Sequence, residues 1–366
     1  MPVRNPADIR NVLFAGHAGS GKTTLCERLL FAAGEITRMG SVEDGNTVSD
    51  YSDEEHHHHH SLRATVMHFE HEGHMVNLID APGMGDFAGH AIACLPAVET
   101  VAVVVDATKG IEPGVRRMMN VAAQRNLPRM LIIDKIDEQQ ADLPALVAQL
   151  REAFGPICLP INLPADNCTK VINVFEHDGT DSAGDSTDFS SVHEAHEQII
   201  EQIVEVQDEL MTTYLEAGED GFEGGVTGKQ VHDAFEQALR EAHLVPICFA
   251  SGKSGAGVED LMHIIASLLP SPLEGNPRPF LKRDGDEEIE FHAEPDPDKP
   301  LIAHVFKVAA DKHVGKLGVF RVHQGTISAK SEVILDDHKK PVRIGHLIKR
   351  QGKEHEEADV LGPGDI

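Results

Sequence analysis

Short apolar runs alternate with helical patterns from the N-terminus to Leu269. Six runs have the length and composition of strands: residues 11–15, 64–71, 75–79, 101–105, 129–133 and 246–250. Three segments place apolar residues at helical spacing: residues 23–33, 115–123 and 257–269. The run 101–105 is apolar throughout, which is typical of a central parallel strand that is buried on both faces. The alternation predicts an α/β fold with a mostly parallel, doubly wound sheet.

Two long segments interrupt this alternation. Residues 34–61 are polar with little periodicity, which predicts a functional or mobile loop, and positions 56–60 are five consecutive histidines. Farther on, apolar residues recur at helical spacing from Ile199 to Tyr214 and predict one long helix. Thr227 begins a capping-box pattern before a second helix. Residues 178–191 are polar and rich in glycine and serine, which predicts mobility.

A linker and a β-rich region follow. Residues 270–300 are rich in proline, glycine and charge, which indicates a connection between domains. The runs 302–308, 318–328, 332–335 and 342–348 then predict strands separated by turn residues. With 366 residues, the chain is long enough for two or three domains that each have a core.

Charge and composition exclude several classes of function. The chain has 60 acidic and 32 basic residues, a net charge of −28, so we expect no direct DNA binding through a broad basic face. This net charge does not exclude docking of the chain on a nucleoprotein through a local surface patch. No apolar run is long enough to span a membrane, so we expect a cytoplasmic chain without membrane contact. The five cysteines lack CxxC spacing and are predicted to be buried thiols rather than zinc ligands.

Residues 16–23 fit the pattern G-x-x-x-x-G-K-[ST] at every fixed position. They lie between a predicted strand and a predicted helix, which is the context of a phosphate-binding loop. Glycines let successive backbone N–H groups turn towards an anion, and the helix N-terminus adds its positive end. Lys22 would reach the β- and γ-phosphates, and Thr23 would ligate Mg²⁺. The predicted nucleotide-binding residues are Gly16, His17, Ala18, Gly19, Ser20, Gly21, Lys22, Thr23 and Thr24.

Three later motifs follow strands and match the remaining elements of P-loop GTPases. Asp80-Ala81-Pro82-Gly83 is a D-x-x-G element, whose Asp holds Mg²⁺ through water and whose Gly amide senses the γ-phosphate. Asp134-Lys135-Ile136-Asp137 resembles the guanine-selecting N-K-x-D, with Asp134 where Asn is expected. Asp137 could accept both donors of guanine and would reject adenine, and Lys135 would lie along the base. Ser251-Gly252-Lys253 would offer backbone N–H groups to guanine O6.

Over nearly its full length the chain resembles the bacterial translation elongation factor G family. The stretches that carry the resemblance are GSVEDG (40–45), DAPG (80–83), KID (135–137), DELM (208–211), LLPSPL (268–273) and FRV (320–322). The resemblance implies a GTP-binding domain over residues 1–275 with an inserted α+β subdomain at about 155–245. A linker at 276–299 and an incomplete β-barrel domain at 300–366 would follow. We expect the chain to be part of a longer protein, and this part of it to be monomeric.

The resemblance also implies roles for individual residues. Ser61 falls where the family has its Mg²⁺-binding Thr, so the expected metal set is Thr23, Ser61 and, through water, Asp80. Met84 occupies the position of the His that orients the attacking water. The expected catalytic set is therefore Lys22, Ser61, Gly83 and Met84. A thioether cannot donate a hydrogen bond to water, which predicts slow hydrolysis.

The function implied is a Mg²⁺-dependent GTPase that converts GTP to GDP on the ribosome, in translocation or a related step. One alternative is a ribosome-binding, recycling or ribosomal protection factor that hydrolyses little GTP. A more remote alternative is a P-loop ATPase of another family. The histidine run at 56–60 could bind a metal ion, although a solvated loop is the simpler interpretation.

Overall fold

The computed structural model describes residues 3–175, 186–217, 228–284, 287–311, 315–335 and 340–366. Seven of its strands form one mixed sheet in the order β2-β3-β1-β4-β5-β9-β6. In this sheet β2 is antiparallel to β3, and the other neighbours are parallel. The first nine strands are β1 Ile9–Gly16, β2 Thr65–His71, β3 His74–Asp80, β4 Thr100–Asp106, β5 Arg129–Asp134, β6 Cys158–Pro160, β7 Asn162–Ala165, β8 Lys170–Asn173 and β9 Val245–Phe249.

Helices cover both faces of this sheet, so the predicted doubly wound α/β fold is confirmed. The helices are α1 Lys22–Ala32, α2 Asp53–His58, α3 Ala88–Cys94, α4 Pro113–Gln124, α5 Leu143–Phe154, α6 Val192–Val204, α7 Asp208–Ala217, α8 Gly228–Arg240 and α9 Val258–Leu268. Every residue of strand β4 is buried, and its side chains belong to the hydrophobic cores on both faces of the sheet. Ala102 and Val104 face the side of α1 and α9, whereas Val103 and Val105 face the side of α4 and α5.

Strand register collects the motif residues at one edge of the sheet. Gly16 lies opposite Val104, Asp80 lies opposite Phe14, and Asp106 lies opposite Asp134. Parallel strands end at the same edge, which is where ligands bind in doubly wound sheets. The fold therefore places the phosphate loop beside the two acidic motifs.

One helical prediction was wrong, and one segment predicted as a loop contains a short helix. The predicted single helix through Ile199 and Tyr214 is two helices, α6 and α7, separated at Glu205 to Gln207. The polar segment 34–61 contains α2, which holds three of the five histidines. A capping box starts α2, since Ser52 accepts from Glu55 N and the Glu55 side chain accepts from Ser52 N. Thr227 and residues 178–185 lie outside the described residues.

The second part of the chain is β-rich, and its described strands pair in antiparallel twos. They are β10 Phe280–Asp284, β11 Glu287–Phe291, β12 Ile302–Asp311, β13 Gly315–Gln324, β14 Ile327–Ser328, β15 Glu332–Val333, β16 Val342–Arg343, β17 Ile348–Gln351, β18 Glu354–Glu357 and β19 Val360–Leu361. The pair β10–β11 lies inside the predicted linker, which therefore has regular structure. Across the described residues these strands form no closed barrel, so the barrel prediction holds only as a β-rich domain.

A buried ion pair joins the two domains. Arg321 on β13 is 2% exposed and donates to Glu99 Oε1 at 2.8 Å. Asn11 on β1 donates to the other oxygen of Glu99 at 2.7 Å and also to Gly364 O. These polar side chains can be buried because each of them has a hydrogen-bond partner.

A second contact, called here the β2–β17 seam, lies at the edge of the sheet. His68 N donates to the Gln351 side chain at 2.8 Å, and that amide donates back to His68 O at 3.0 Å. Gly352 N donates to Val66 O at 3.0 Å. Only glycine fits at position 352, because it has a positive φ and a Cβ would overlap Val48 O.

The described residues also bear on the expected burial of the cysteine thiols and on membrane-spanning helices. Cys26, Cys94, Cys158 and Cys248 are buried and Cys168 is partly buried, all as free thiols. Within the described ranges, we find no helix whose length and apolarity together would let it cross a lipid bilayer.

Candidate nucleotide-binding site

The loop between β1 and α1 has the backbone of an anion-binding turn. Gly16, Gly19 and Gly21 all have positive φ angles, which L-residues with a side chain rarely adopt. Gly21 is the N-cap of α1, so the helix begins at Lys22 with its N-terminal amides facing the loop. Steric contacts require glycine at position 16, because a Cβ there would approach Val104 O to 2.5 Å.

Lys22 is buried beneath the loop. Its ammonium donates to His17 O at 2.6 Å. Burial lowers the pKa of Lys22, while the charge of Asp80 opposes that shift. The lysine is thus held inside the turn, at the place the motif predicts for a phosphate-binding cation.

The predicted metal set converges at the start of α1. Thr23 Oγ1 donates to Asp80 Oδ2 at 2.7 Å and lies 3.2 Å from Ser61 Oγ. Ser49 donates to the same Asp80 oxygen at 2.7 Å. Asp50 lies beside them and was not among the predicted ligands. All five side chains are buried.

The oxygen atoms in this cluster fit Mg²⁺. Asp80 Oδ1 and both carboxylate oxygens of Asp50 are buried and find no hydrogen-bond donor among the described residues. Burial and the neighbouring Asp80 raise the pKa of Asp50 to about 7. Mg²⁺ prefers carboxylate, hydroxyl and water oxygens, and a cation would satisfy these orphaned atoms. Thr23, Ser61, Asp50 and Asp80 could therefore hold the ion, directly or through water.

Helix α2 fixes the position of Ser61. Glu55 is 2% exposed, and its Oε1 accepts hydrogen bonds from Leu62 N at 3.1 Å and Arg63 N at 3.3 Å. Its other oxygen accepts from Ser52. One carboxylate thus ties the start of α2 to the residues that directly follow Ser61. The S-x-x-E spacing at 52–55 could have revealed this anchor.

The base-binding end is built around Asp134. Its side chain is 2% exposed, and Oδ1 accepts from Gly252 N at 2.8 Å. Its Oδ2 lies against Gly21, where a Cβ would overlap it. Burial raises the pKa of Asp134 to about 7, and the hydrogen bonds from backbone amides oppose that shift. The carboxyl group therefore ties the phosphate loop to the 251–253 turn.

The other polar residues of the 134–137 motif are also held by hydrogen bonds. Lys135, at a φ of 66°, donates to Gly19 O at 2.7 Å and to Asp106 Oδ2 at 2.6 Å. Ser251 donates to Asp137 Oδ1 at 2.6 Å. Asp106 was not singled out from the sequence, since it sits alone at the end of β4. Arg28, also missed, donates to Gly252 O at 2.8 Å and to Lys253 O.

Gly83 and Met84 lie on the opposite side of the phosphate loop. A Cβ at Gly83 would approach the His17 carbonyl carbon to 2.5 Å, so this backbone packs directly on the loop. Met84, Gly16 and Arg117 help to line a gap of about 10 Å³. Arg117 on α4 donates to Gly85 O at 3.4 Å. This arginine, which could not be singled out from the sequence, thus places a cation beside Met84, the residue expected at the position of the water-orienting His.

The histidine run borders the cluster formed by Thr23, Ser49, Asp50, Ser61 and Asp80. His56 Nε2 lies 2.8 Å from Asp50 O, and His57 to His59 are exposed. Within the described ranges, the group with metal-ligand spacing is His71, Glu72 and His263, whose ligand atoms lie within 4.8 Å. The hypothesis of metal binding by residues 56–60 stays a prediction.

Comparison with known proteins agrees with this geometry. The sequence model of the family "Elongation factor Tu GTP binding domain" matches residues 7–271, and that of "Elongation factor G domain 2" matches residues 300–366. A crystal structure of a protein from Thermus thermophilus superposes with a TM-score of 0.80 at 33% sequence identity. The alignment covers 98% of this chain and 52% of that protein.

These matches establish first the class of protein to which the chain belongs and then its family. The fold and the phosphate loop are those of a P-loop GTPase, joined to a β-rich second domain. The chain belongs to the translational GTPases of the elongation factor G type. It spans about half the length of the solved protein that it matches.

Proposed function

We propose that this chain is the GTP-binding part of a factor that acts on the ribosome in translocation or a related step, and so works in the cytoplasm. The observation that carries the proposal is the convergence of the phosphate loop with two separate motifs. Thr23 contacts Asp80 on one side, and Gly21 contacts Asp134 on the other. That arrangement accommodates a nucleoside phosphate with its base at the 134–137 turn.

Each predicted residue has a task in this proposal. Asp137, oriented by Ser251, would accept the two guanine donors, and the 251–253 backbone would donate to O6. Lys22 and the loop amides would bind the β- and γ-phosphates, with Thr24 at their α-phosphate end. Mg²⁺, when bound, neutralises phosphate charge, and Thr23, Ser61, Asp50 and Asp80 would hold it. The Gly83 amide would contact the γ-phosphate.

The proposed turnover is slow because Met84 replaces a water-orienting His. Loss of one positioned polar group in a transition state costs about 3–4 kcal/mol, or roughly 10²–10³ in rate. The same observation favours the second candidate function, a ribosome-binding, recycling or protection factor that uses GTP mainly as a switch. In either case binding requires guanine nucleotides, and the ATPase alternative finds no support in the family matches.

The deciding experiment is GTP hydrolysis by the full-length protein with and without ribosomes. Stimulated phosphate release supports a ribosome-dependent GTPase. Ribosome binding with GTP but no stimulated release supports the switch alternative. Titration with labelled GDP, GTP and ATP is the companion measurement, and ATP binding as tight as that of GDP would overturn both proposals.

A further inference from the structure

A cavity of about 220 Å³ lies between the two domains, and no residue of the phosphate loop lines it. Its walls come from three parts of the chain: the turn before β4, the end of α4 with the residues after it, and the linker with the second domain. The lining includes Arg125, Arg278, Phe280, His323 and the carboxylate of Glu99, which is paired with Arg321. Such a junction of domains is a common place for a small-molecule site.

Two arginines line this cavity, of which Arg125 is partly buried and Arg278 is exposed. Burial lowers the pKa of Arg125, and the neighbouring charge of Arg278 lowers it further. Within the described ranges, neither arginine lies within salt-bridge distance of a carboxylate, whereas Arg321 nearby is paired with Glu99. A chain with 60 acidic and 32 basic residues has ample carboxylates to pair them. An anion between the two guanidinium groups would remove their repulsion and accept their hydrogen bonds.

Two aromatic rings, those of Phe280 and His323, form another part of the cavity wall. The Phe280 and His323 rings meet edge to face, with centroids 5.2 Å apart and planes at 73°. His323 Nε2 is buried and has no hydrogen-bond partner within the described residues. Burial and the charge of Arg321 lower the pKa of His323 to about 3, so the ring is neutral. A neutral imidazole beside a phenyl ring suits an aromatic ligand that brings its own hydrogen-bonding group.

We propose that this cavity binds a small aromatic anion, such as an aryl carboxylate or sulfonate. Its ring would pack against Phe280 and His323, and its acid group would lie between Arg125 and Arg278. The volume suits a one-ring compound, since pockets for drug-sized ligands begin at about 300 Å³. Because the GTP-binding domain, the linker and the second domain all contribute walls, the bound ligand would stabilise their docking.

The test uses the 366-residue chain and benzenesulfonate as the probe. Benzenesulfonamide is the neutral control of nearly the same shape. Isothermal titration and ligand-observed NMR should give saturable binding of benzenesulfonate at millimolar or lower concentration, and at least tenfold weaker binding of benzenesulfonamide. Arg125→Gln and Arg278→Gln should each weaken benzenesulfonate binding about tenfold, the effect of losing one charged hydrogen bond. Arg116→Gln removes the same charge from an exposed position on α4 and should change nothing.

Three results would overturn the proposal: no saturable binding of benzenesulfonate, equal binding of the neutral control, or equal weakening by Arg116→Gln. GDP binding and the thermal unfolding temperature of each variant show whether it is folded. The proposal does not depend on GTP hydrolysis, because the cavity shares no residue with the nucleotide site. A chain that binds benzenesulfonate but no nucleotide would contradict the proposed function alone.

Discussion

At the residue scale, Asp134 stands where the N-K-x-D pattern has Asn. The burial of its carboxyl group determines how this difference should affect guanine binding. A carboxylic acid with a pKa of about 7 can donate its proton to guanine N7 in mildly acidic solution. Above that pH a carboxylate at the proposed guanine site would face the N7 acceptor and repel it. We therefore expect GDP affinity to fall as the pH rises from about 6 to about 8.

Asp134→Asn should remove that pH dependence and bind GDP about tenfold more tightly at high pH, the value of one hydrogen bond. Labelled-GDP titrations at both pH values measure it. Asp142→Asn is the matched control, since Asp142 is an exposed helix cap. Unchanged affinity in Asp134→Asn would show that another group already donates to N7.

The same carboxyl group affects stability. Its pKa in the folded chain is about 7, against an ordinary value of 3.8. A raised folded pKa stabilises the fold at low pH, and that contribution is lost as the pH rises from about 4 to about 7. Urea unfolding should therefore show that Asp134→Asn gains stability over the wild type most clearly above neutral pH. A constant difference across the range would contradict this assignment.

Met84 permits a direct test of slow turnover. Met84→His should raise ribosome-stimulated hydrolysis by the full-length protein, about 10²-fold if it restores the lost contact to water. GDP affinity should hardly change, because residue 84 is on the phosphate side, away from the base. Arg117→Gln is the companion variant, since Arg117 shares the gap beside Met84. If Arg117→Gln abolishes turnover and Met84→His adds none, the arginine already supplies this function.

At the element scale, helix α2 anchors the residues that follow Ser61, one of the proposed Mg²⁺ ligands. Glu55→Ala should leave Leu62 N and Arg63 N without their acceptor and loosen Ser61. The cost of unsatisfied buried donors is about 1–3 kcal/mol, so GTP binding should require about tenfold more Mg²⁺. Hydrogen exchange at residues 62 and 63 should accelerate as well. Glu54→Ala changes an exposed neighbour in the same helix and should have neither effect; equal effects would assign the loss to α2 in general.

The elements also show how far the sequence could lead. Six of the seven strands of the large sheet, α1 and the approach of Thr23, Ser61 and Asp80 were predictable, because each rests on a contiguous pattern or on the family resemblance. The break between α6 and α7 was not, since apolar spacing continues across it. Asp106 and Ser49 were not predictable either. Each acquires its role only when distant strands bring it to Lys135 or Asp80.

At the scale of the whole molecule, the buried pair of Glu99 and Arg321 is one of the contacts that join the two domains. Arg321→Met should cost about 3–5 kcal/mol, because it leaves a buried carboxylate without its cation. Adding Glu99→Gln should recover most of that loss, since the amide still accepts from Asn11. Denaturant unfolding measures both. Lys299→Met, which breaks an exposed pair with Glu294, should cost less than about 1 kcal/mol. No recovery in the double variant would show that Arg321 acts by packing alone.

The β2–β17 seam connects the second domain to the segment beside Asp80, where we propose that Mg²⁺ and the nucleotide phosphates bind. Gly352 packs on the Val48 carbonyl, and the next residue, Ser49, donates to Asp80. Tyr51, two residues farther on, lies under the Arg350 guanidinium at 5.8 Å. The segment that contacts the metal cluster is thus the same segment that the second domain touches. A partner that binds only the outer surface of the second domain could therefore distinguish the GTP form from the GDP form without reaching the nucleotide.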